Sequence, residues 1–309
     1  MRLYRNLDEV HPAPAGPRAV AVGVFDGVHR GHQEIIRRAV AAGRNLGGPA
    51  AVLTFEPHPD AVVGPGAAPA VLTTLRQKLE LVEELGMDEV VVVAFDEAFA
   101  GISPESFCGD LLRARMGAGH VTVGANFRFG AGGRGTSADL ARCGERAGFS
   151  VEAVELLRNG AEVISSTRIR EFLLAGRVRE AARLLGRPHS VEGYVVAGAG
   201  RGRDLGVPTA NVEVHGGVVV PAAGVYVTNT VLEGRVVPSV TSVGTNPTFE
   251  FGADVRVEAH LLDFSGGLYG RWIRVEFLEK LRDQRRFGRV EDLVAQMRSD
   301  IARAAAYFA

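Results

Sequence analysis

The sequence predicts an α/β chain in two parts: a doubly wound parallel sheet first, then a six-stranded-type antiparallel β-barrel closed by one terminal helix. Three observations carry this. Through residues 19–155, short apolar runs alternate with amphipathic helices, the pattern of a parallel sheet covered on both faces. From about residue 187 the helical periodicity stops, and alternating strands joined by glycine turns follow. At 309 residues the chain is long enough for two cores, so the change of pattern divides it into 1–186 and 187–309.

The first half is organised around A-V-A-V-G-V-F-D-G-V-H-R-G-H-Q-E-I-I, residues 19–36. Its apolar start reads as a strand buried on both faces, and Gly23 and Gly27 permit a sharp turn. Ile35, Ile36, Ala39 and Val40 recur at helical spacing, so His29 and His32 fall at or in the first turn of a helix. Such a helix start favours anions through unpaired N–H groups and the helix dipole, Gly31 keeps the approach open, and two imidazoles add hydrogen-bond donors. Residues 50–55 give a second strand ending in E-P-H-P, which points His58 from a strand end, where ligands sit in open parallel sheets. Thr73 and Thr74 cap a helix over Leu75, Leu79, Val82 and Leu85, stopped by Gly86. A third strand covers 89–95, Ser103-Pro104-Glu105 starts a helix, and a fourth strand at 120–124 leads into A-N-F-R-F-G with Asn126. A helix at 137–147 and a strand at 151–155 follow. Gly130, Gly132 and Gly135 spell GxGxxG with Glu152 or Glu155 about twenty residues on, but N-F-R-F separates them from the strand. An NAD site is therefore the weaker reading against a glycine-rich loop over a nucleotide. Near the end of this half, I-S-S-T-R-I-R combines Ser165 and Ser166, natural N-caps, with Thr167, Arg168 and Arg170, whose guanidinium forks suit phosphate.

In the second half, strands are expected at 191–197, 224–232, 236–243, 255–262 and 272–278, and a helix at 290–308 with Leu293, Val294, Met297, Ile301 and Phe308 on one side. G-A-G-R-G-R-D-L-G-V-P-T-A-N, residues 198–211, lacks the lysine of a P-loop. Gly198, Gly200, Gly202 and Gly206 expose backbone N–H groups, and Pro208 extends the chain so that Thr209 and Asn211 project to one side. A hydroxyl and an amide oxygen suit Mg²⁺ whose other ligands are water and ATP phosphates. In V-R-V-E-A-H-L, Arg256, Glu258 and His260 share the face opposite Val255, Val257, Ala259 and Leu261.

The composition narrows the function. With 46% hydrophobic and 23% charged residues and a net charge of −1, there is no basic excess to attract nucleic acid or a membrane surface. A small-molecule substrate is expected. The N-terminal stretch lacks the apolar core of a signal peptide, and no apolar run approaches the roughly 18 residues of a membrane span. Cys108 and Cys143 form no metal-like pair, so a cytoplasmic chain without structural disulfides is expected. These features set no oligomeric state.

The motifs also carry a resemblance. H-R-G-H after G-V-F-D-G resembles the HxGH signature of the nucleotidyltransferase superfamily, and I-S-S-T-R-I-R resembles its ISSTxxR motif, about 130 residues later and in the expected order. The 198–211 loop, S-V-G-T-N-P-T-F at 242–249, V-E-A-H-L-L-D-F at 257–264 and L-Y-G-x-x-I-x-V-E-F-L at 268–278 resemble riboflavin kinases. Over nearly the whole chain the sequence is similar to the bifunctional riboflavin kinase/FMN adenylyltransferase family, also called FAD synthetases. The resemblance implies that the barrel phosphorylates riboflavin from MgATP to give FMN, with Glu258 as base and Gly198, Gly200, Gly202, Arg203, Gly206, Pro208, Thr209 and Asn211 around ATP and Mg²⁺. It implies that the first part adenylylates FMN to FAD, with His29 and His32 catalytic and Gly23, Phe25, His58, Asn126, Ser165, Ser166, Thr167, Arg168 and Arg170 at the ATP phosphates. Two departures are small: Val207 stands where the kinases commonly have Phe, and Gly267 where an acid is common. An adenylyltransferase with a regulatory, flavin-binding barrel is the alternative.

Overall fold

The protein is described here from a computed structural model, which describes residues 1–11, 16–64, 66, 68–198, 202, 205–214, 217–245 and 255–309. It divides into two compact units, Met1–Ser166 and Thr167–Ala309.

The first unit is built on six parallel strands in the order β1-β4-β3-β2-β5-β8. β2 (Arg18–Val22), β3 (Ala50–Glu56), β4 (Glu89–Ala94), β5 (Ala118–Gly124) and β8 (Ser150–Val154) lie close to the predicted strands. Alternate residues of β2, β3 and β4 feed two cores. Ala21, Val52, Val90 and Val92 meet Ile35, Ile36 and Ala39 of α1 (Arg30–Leu46) and Val82 of α2 (Leu75–Glu84). Val20, Val22, Leu53, Val91 and Val93 meet Phe107, Leu111 and Leu112 of a π-helical segment, and Leu140 of α3 (Ser137–Ala147). Residues facing both layers account for the unbroken apolar runs, and each fully buried Leu or Val contributes about 1.5–3 kcal/mol. The caps follow the sequence: Thr74 forms a capping box with Gln77, and Gly86 has φ +87°.

Two features of this unit were not expected. The short edge strand β1 (Arg2–Tyr4) pairs with β4, and a buried arginine anchors the start of β2. Arg18, 1% exposed, donates to Glu89 Oε2 at 2.6 Å, Met116 O at 2.9 Å and His11 O at 2.8 Å. A further feature of the unit is a correction. Cys108 and Cys143 form a disulfide, with Cα atoms 6.2 Å apart. They lie on two helical segments that cover the same sheet face, a proximity that a sequence separation of 35 conceals. The glycine-rich segment forms a small hairpin, β6 (Arg128–Phe129) with β7 (Gly135–Thr136). A Cβ at Gly130 would lie 2.8 Å from the Pro104 ring and one at Gly135 would lie 2.7 Å from Phe129. These glycines serve close packing, and the dinucleotide pattern is accidental.

After the hairpin of β9 (Arg158–Asn159) and β10 (Glu162–Val163), α4 (Ser166–Leu174) leads to α5 (Val178–Leu185). Residues 167–186, read from the sequence as the end of the first part, pack with the second unit: Leu173 O accepts from Ala222 N at 3.0 Å, and Arg179 pairs with Glu279. That unit is a closed antiparallel barrel of β11 (His189–Val196), β12 (Ala210–Val214), β13 (Gly224–Leu232), β14 (Arg235–Thr245), β15 (Val255–Leu261) and β16 (Trp272–Arg282). Of these, β12 is the strand that the sequence showed only as the end of the glycine loop. α6 (Val290–Phe308) covers Val225, Val227 and Val240 with Ile301, Ala304 and Phe308.

One barrel histidine gives a pH-dependent stability. Burial pushes His189 down to about 4, opposed by the Val219 carbonyl 2.7 Å from Nε2. Unfolding returns the ring to about 6.5. The unfolded chain therefore binds the extra proton first, so this stabilisation is complete above about pH 6.5 and is lost as pH falls through about 4. The span is about 3 kcal/mol. Urea unfolding of the full chain should show this fall, and a His189→Gln variant a flatter dependence; parallel curves for the two would contradict the assignment.

Candidate active sites

The turn after β2 turns the apolar strand into a site. Phe25 (φ 51°), Gly27 (φ 79°) and Val28 (φ 40°) reverse the chain, so His29 becomes the N-cap of α1 and His32 lies within its first turn. The His29 and His32 rings stack with centroids 3.5 Å apart, and Phe25 meets His32 edge-on at 5.3 Å. His29 Nδ1 accepts the His32 N–H at 3.3 Å, which leaves its proton on Nε2. One helix-start N–H is thus occupied by an imidazole, a local refinement of the open anion site read from the sequence. Gly31 has a second purpose as well: a Cβ there would press on the His29 ring at 3.2 Å, and one at Gly23 on the Phe25 ring at 3.0 Å.

His32 Nδ1 is enclosed and has no hydrogen-bond partner among the described residues. Burial first, then the His29 ring and the Lys78 ammonium, hold His32 well below the usual histidine range. It is therefore an uncharged imidazole at neutral pH, a hydrogen-bonding group rather than a cation. Lys78 is 5% exposed, and burial lowers its pKa while Asp26 and Glu56 act in the opposite sense. The sequence reading passed over this lysine. Its signal was a charge at the buried register of α2, flanked by Leu75, Leu79 and Val82.

The second motif reaches the same turn: the Ser166 hydroxyl donates to Asp26 O at 2.9 Å. Thr167, Arg168 and Arg170 continue α4 in the second unit, where Arg168 bonds Glu171 at 2.7 Å and lies 4.3 Å over the Phe172 ring. Ser165 ends the segment before α4. His58 follows β3, its Nδ1 accepting Asp60 N–H at 3.2 Å, and Asn126 is exposed just after β5. Both therefore stand at carboxyl ends of parallel strands.

The second site is a cavity of about 440 Å³ on the barrel. Strand register makes it: Asn211 on β12 pairs with Glu258 on β15, and Glu258 pairs on its other side with Ser242 of β14. Gly198, Gly202, Pro208, Thr209, Asn211 and Glu258 all line it. Gly198 leaves the room that the Asn211 amide fills, and a Cβ at Gly202 would lie 3.2 Å from Thr209 Oγ1. Gly206 takes φ +75°. His260 Nδ1 bonds Pro208 O at 2.8 Å, pinning the Pro-Thr-Ala-Asn segment to β15. Gly200 and Arg203 lie outside the described residues. The hydroxyl, amide and carboxylate converge on one space, while Val257 and Ala259 are buried on the other face as the alternation required. Two polar lining residues emerge only from the folded barrel: Ser242, by its register with Glu258, and Gln284, whose Nε2 donates to Ser242 Oγ at 2.8 Å.

The fold and the two candidate sites are those of a two-part nucleotide-dependent transferase, with one constellation of polar side chains in the sheet unit and another on the barrel. The family described as FAD synthetase matches residues 12–168, and the one described as riboflavin kinase matches residues 185–308. The bifunctional riboflavin kinase/FMN adenylyltransferase of Escherichia coli strain K12 is 37% identical over 309 residues, covering 100% of this chain and 98% of that one. The Bacillus subtilis protein of the same name is 36% identical over 94% of this chain and 92% of its own. A crystal structure described as a macrolide-efflux protein from Streptococcus pneumoniae has a TM-score of 0.88 at 32% identity, with 97% of each chain covered. The chain belongs to the bifunctional riboflavin kinase/FMN adenylyltransferase family.

Proposed function

We propose that this chain makes FMN and FAD in two reactions at two sites, with the adenylyltransferase machinery in residues 1–186 and the kinase in residues 187–309. In the kinase, Glu258 takes the proton of the riboflavin ribityl 5′-hydroxyl as its oxygen attacks the γ-phosphorus of ATP, giving FMN and ADP. Thr209 and Asn211 would hold Mg²⁺, and the space that Gly198 and Gly202 leave around their side chains supports that fit. When bound, the cation supplies charge to the transferring phosphoryl oxygens. Gly198, Gly200, Gly202, Arg203, Gly206 and Pro208 bring backbone and guanidinium donors to ATP.

In the adenylyltransferase, an FMN phosphate oxygen attacks the α-phosphorus of ATP and pyrophosphate leaves. No covalent enzyme intermediate is required, so positioning and charge stabilisation supply the acceleration. His29 and His32 donate to the triphosphate, with Gly23 and Phe25 shaping the turn. Ser165 and Ser166 add hydroxyl donors, Thr167, Arg168 and Arg170 are assigned to ATP phosphates by their motif, and His58 and Asn126 are assigned to ATP by the turns that carry them. The observation that carries the reading is that each unit brings one pair of candidate side chains together: His29 and His32 stacked at 3.5 Å, and Asn211 in register with Glu258.

Its partners are small molecules: riboflavin, FMN, FAD and ATP, with no nucleic acid or membrane. Among the described residues no helix is long and apolar enough to cross a membrane. Both reactions consume ATP, which agrees with a cytoplasmic enzyme. Full-length protein incubated with riboflavin, ATP and Mg²⁺ should yield FMN first and FAD after it. FAD from supplied FMN without any FMN from riboflavin would restore the regulatory-barrel alternative.

A further inference from the structure

The turn that carries the two imidazoles is strained. Phe25 and Val28 occupy positive φ, 51° and 40°, a region that residues with side chains keep only where their surroundings fix them. Three buried polar residues do the fixing. Asp26, 3% exposed, accepts the Leu72 N–H at 2.8 Å and the Thr73 N–H at 3.3 Å on Oδ1. Thr73, 6% exposed, accepts the Gly27 N–H on Oγ1 at 3.1 Å. Lys78 donates from Nζ to Val24 O at 2.9 Å and to Thr54 Oγ1 at 3.4 Å, and Thr54 Oγ1 itself donates to Val24 O at 3.0 Å. Both ends of the turn, Val24 and Gly27, are therefore tied to residues 72–78. An apolar side chain at position 78 would fill the same space without a buried ammonium to desolvate, so packing alone does not call for lysine.

We propose that Asp26, Thr73 and Lys78 form a latch of positioning residues for adenylyl transfer, setting the strained turn so that His29 and His32 meet the triphosphate already oriented. Lys78 also supplies the fixed positive charge behind the imidazoles. The proposal rests on the reading of His29 and His32 as the triphosphate holders. The ionisable groups acting on His32 are His29 from its own turn and Lys78 from α2, and those acting on Lys78 are Asp26 and Glu56. His32 then acts as a neutral donor while the lysine carries the charge. Removing that charge eases protonation of His32, so its titration moves to higher pH.

The test compares wild type, Lys78→Met, Lys78→Arg and Thr73→Val as full chains, measuring FAD formation from FMN and ATP against pH, with riboflavin phosphorylation and thermal unfolding alongside. Lys78→Met should lose on the order of 10²-fold in kcat/KM for adenylyl transfer and move the acid limb of the profile to higher pH, with phosphorylation unchanged. Lys78→Arg should keep the wild-type limb. If Lys78→Met does not fold, Thr73→Val decides: about a tenfold lower FAD rate supports the latch, and a wild-type rate overturns it. Wild-type kcat/KM with an unmoved acid limb in Lys78→Met overturns it as well. A wild-type chain that forms no FAD from FMN refutes the site reading itself, a result distinct from active wild type with indifferent variants.

Discussion

A His32→Ala enzyme is expected to lose FAD formation while phosphorylating riboflavin at the wild-type rate. The ring is stacked on His29, edged by Phe25, and carries an enclosed Nδ1 with no partner among the described residues. Its truncation removes a donor from a site where charge builds on phosphate oxygens during displacement, and such donors are worth about 10²–10³-fold in rate. It also removes the face against which His29 stacks, so the combined loss should lie at the upper end of that range. The barrel cavity is built from residues 198–301, none of which this substitution alters. Discontinuous assays of FMN and FAD by chromatography separate the two activities in one incubation. Equal loss of both would contradict two independent sites.

The reciprocal result is expected at Glu258. A Glu258→Gln chain keeps the size of the side chain and its register with Asn211 and Ser242, but it cannot take the ribityl hydroxyl proton. Loss of a general base of this kind costs about 10²–10⁴-fold in kcat. FMN formation should fall by that factor, whereas FAD formation from supplied FMN should persist. Asn211→Ala should act in the same direction through the phosphate and cation side of the cavity, with KM for MgATP rising. A Glu258→Gln enzyme with unchanged FMN formation would remove the carboxylate from the mechanism.

Much of this was legible along the chain because it is local. The β2 turn, the cap at Thr74, the alternation from Val257 to Leu261 in β15 and the Pro-Thr-Ala-Asn segment all follow from spacings of a few residues. What escaped the sequence depended on distant partners. Arg18 was unreadable as a core residue because its compensating carboxylate, Glu89, lies 71 positions away. The Cys108–Cys143 bond was missed because sequence spacing does not report two helical segments covering one sheet face. Lys78 escaped because its ammonium is held by the carbonyl of Val24, 54 positions away.

The sequence by itself determined the two-part architecture, the reversal after β2 and the residue types able to grip phosphates, since periodicity, glycine placement and side-chain chemistry act over a turn or a strand. Tertiary structure alone decided which of them meet: Asn211 beside Glu258, Ser166 on the Asp26 carbonyl, Thr73 and Lys78 against the imidazole turn. Those meetings arise from strand order and register, which are set when separate segments bury their apolar faces together and bring residues far apart in the chain within hydrogen-bond reach.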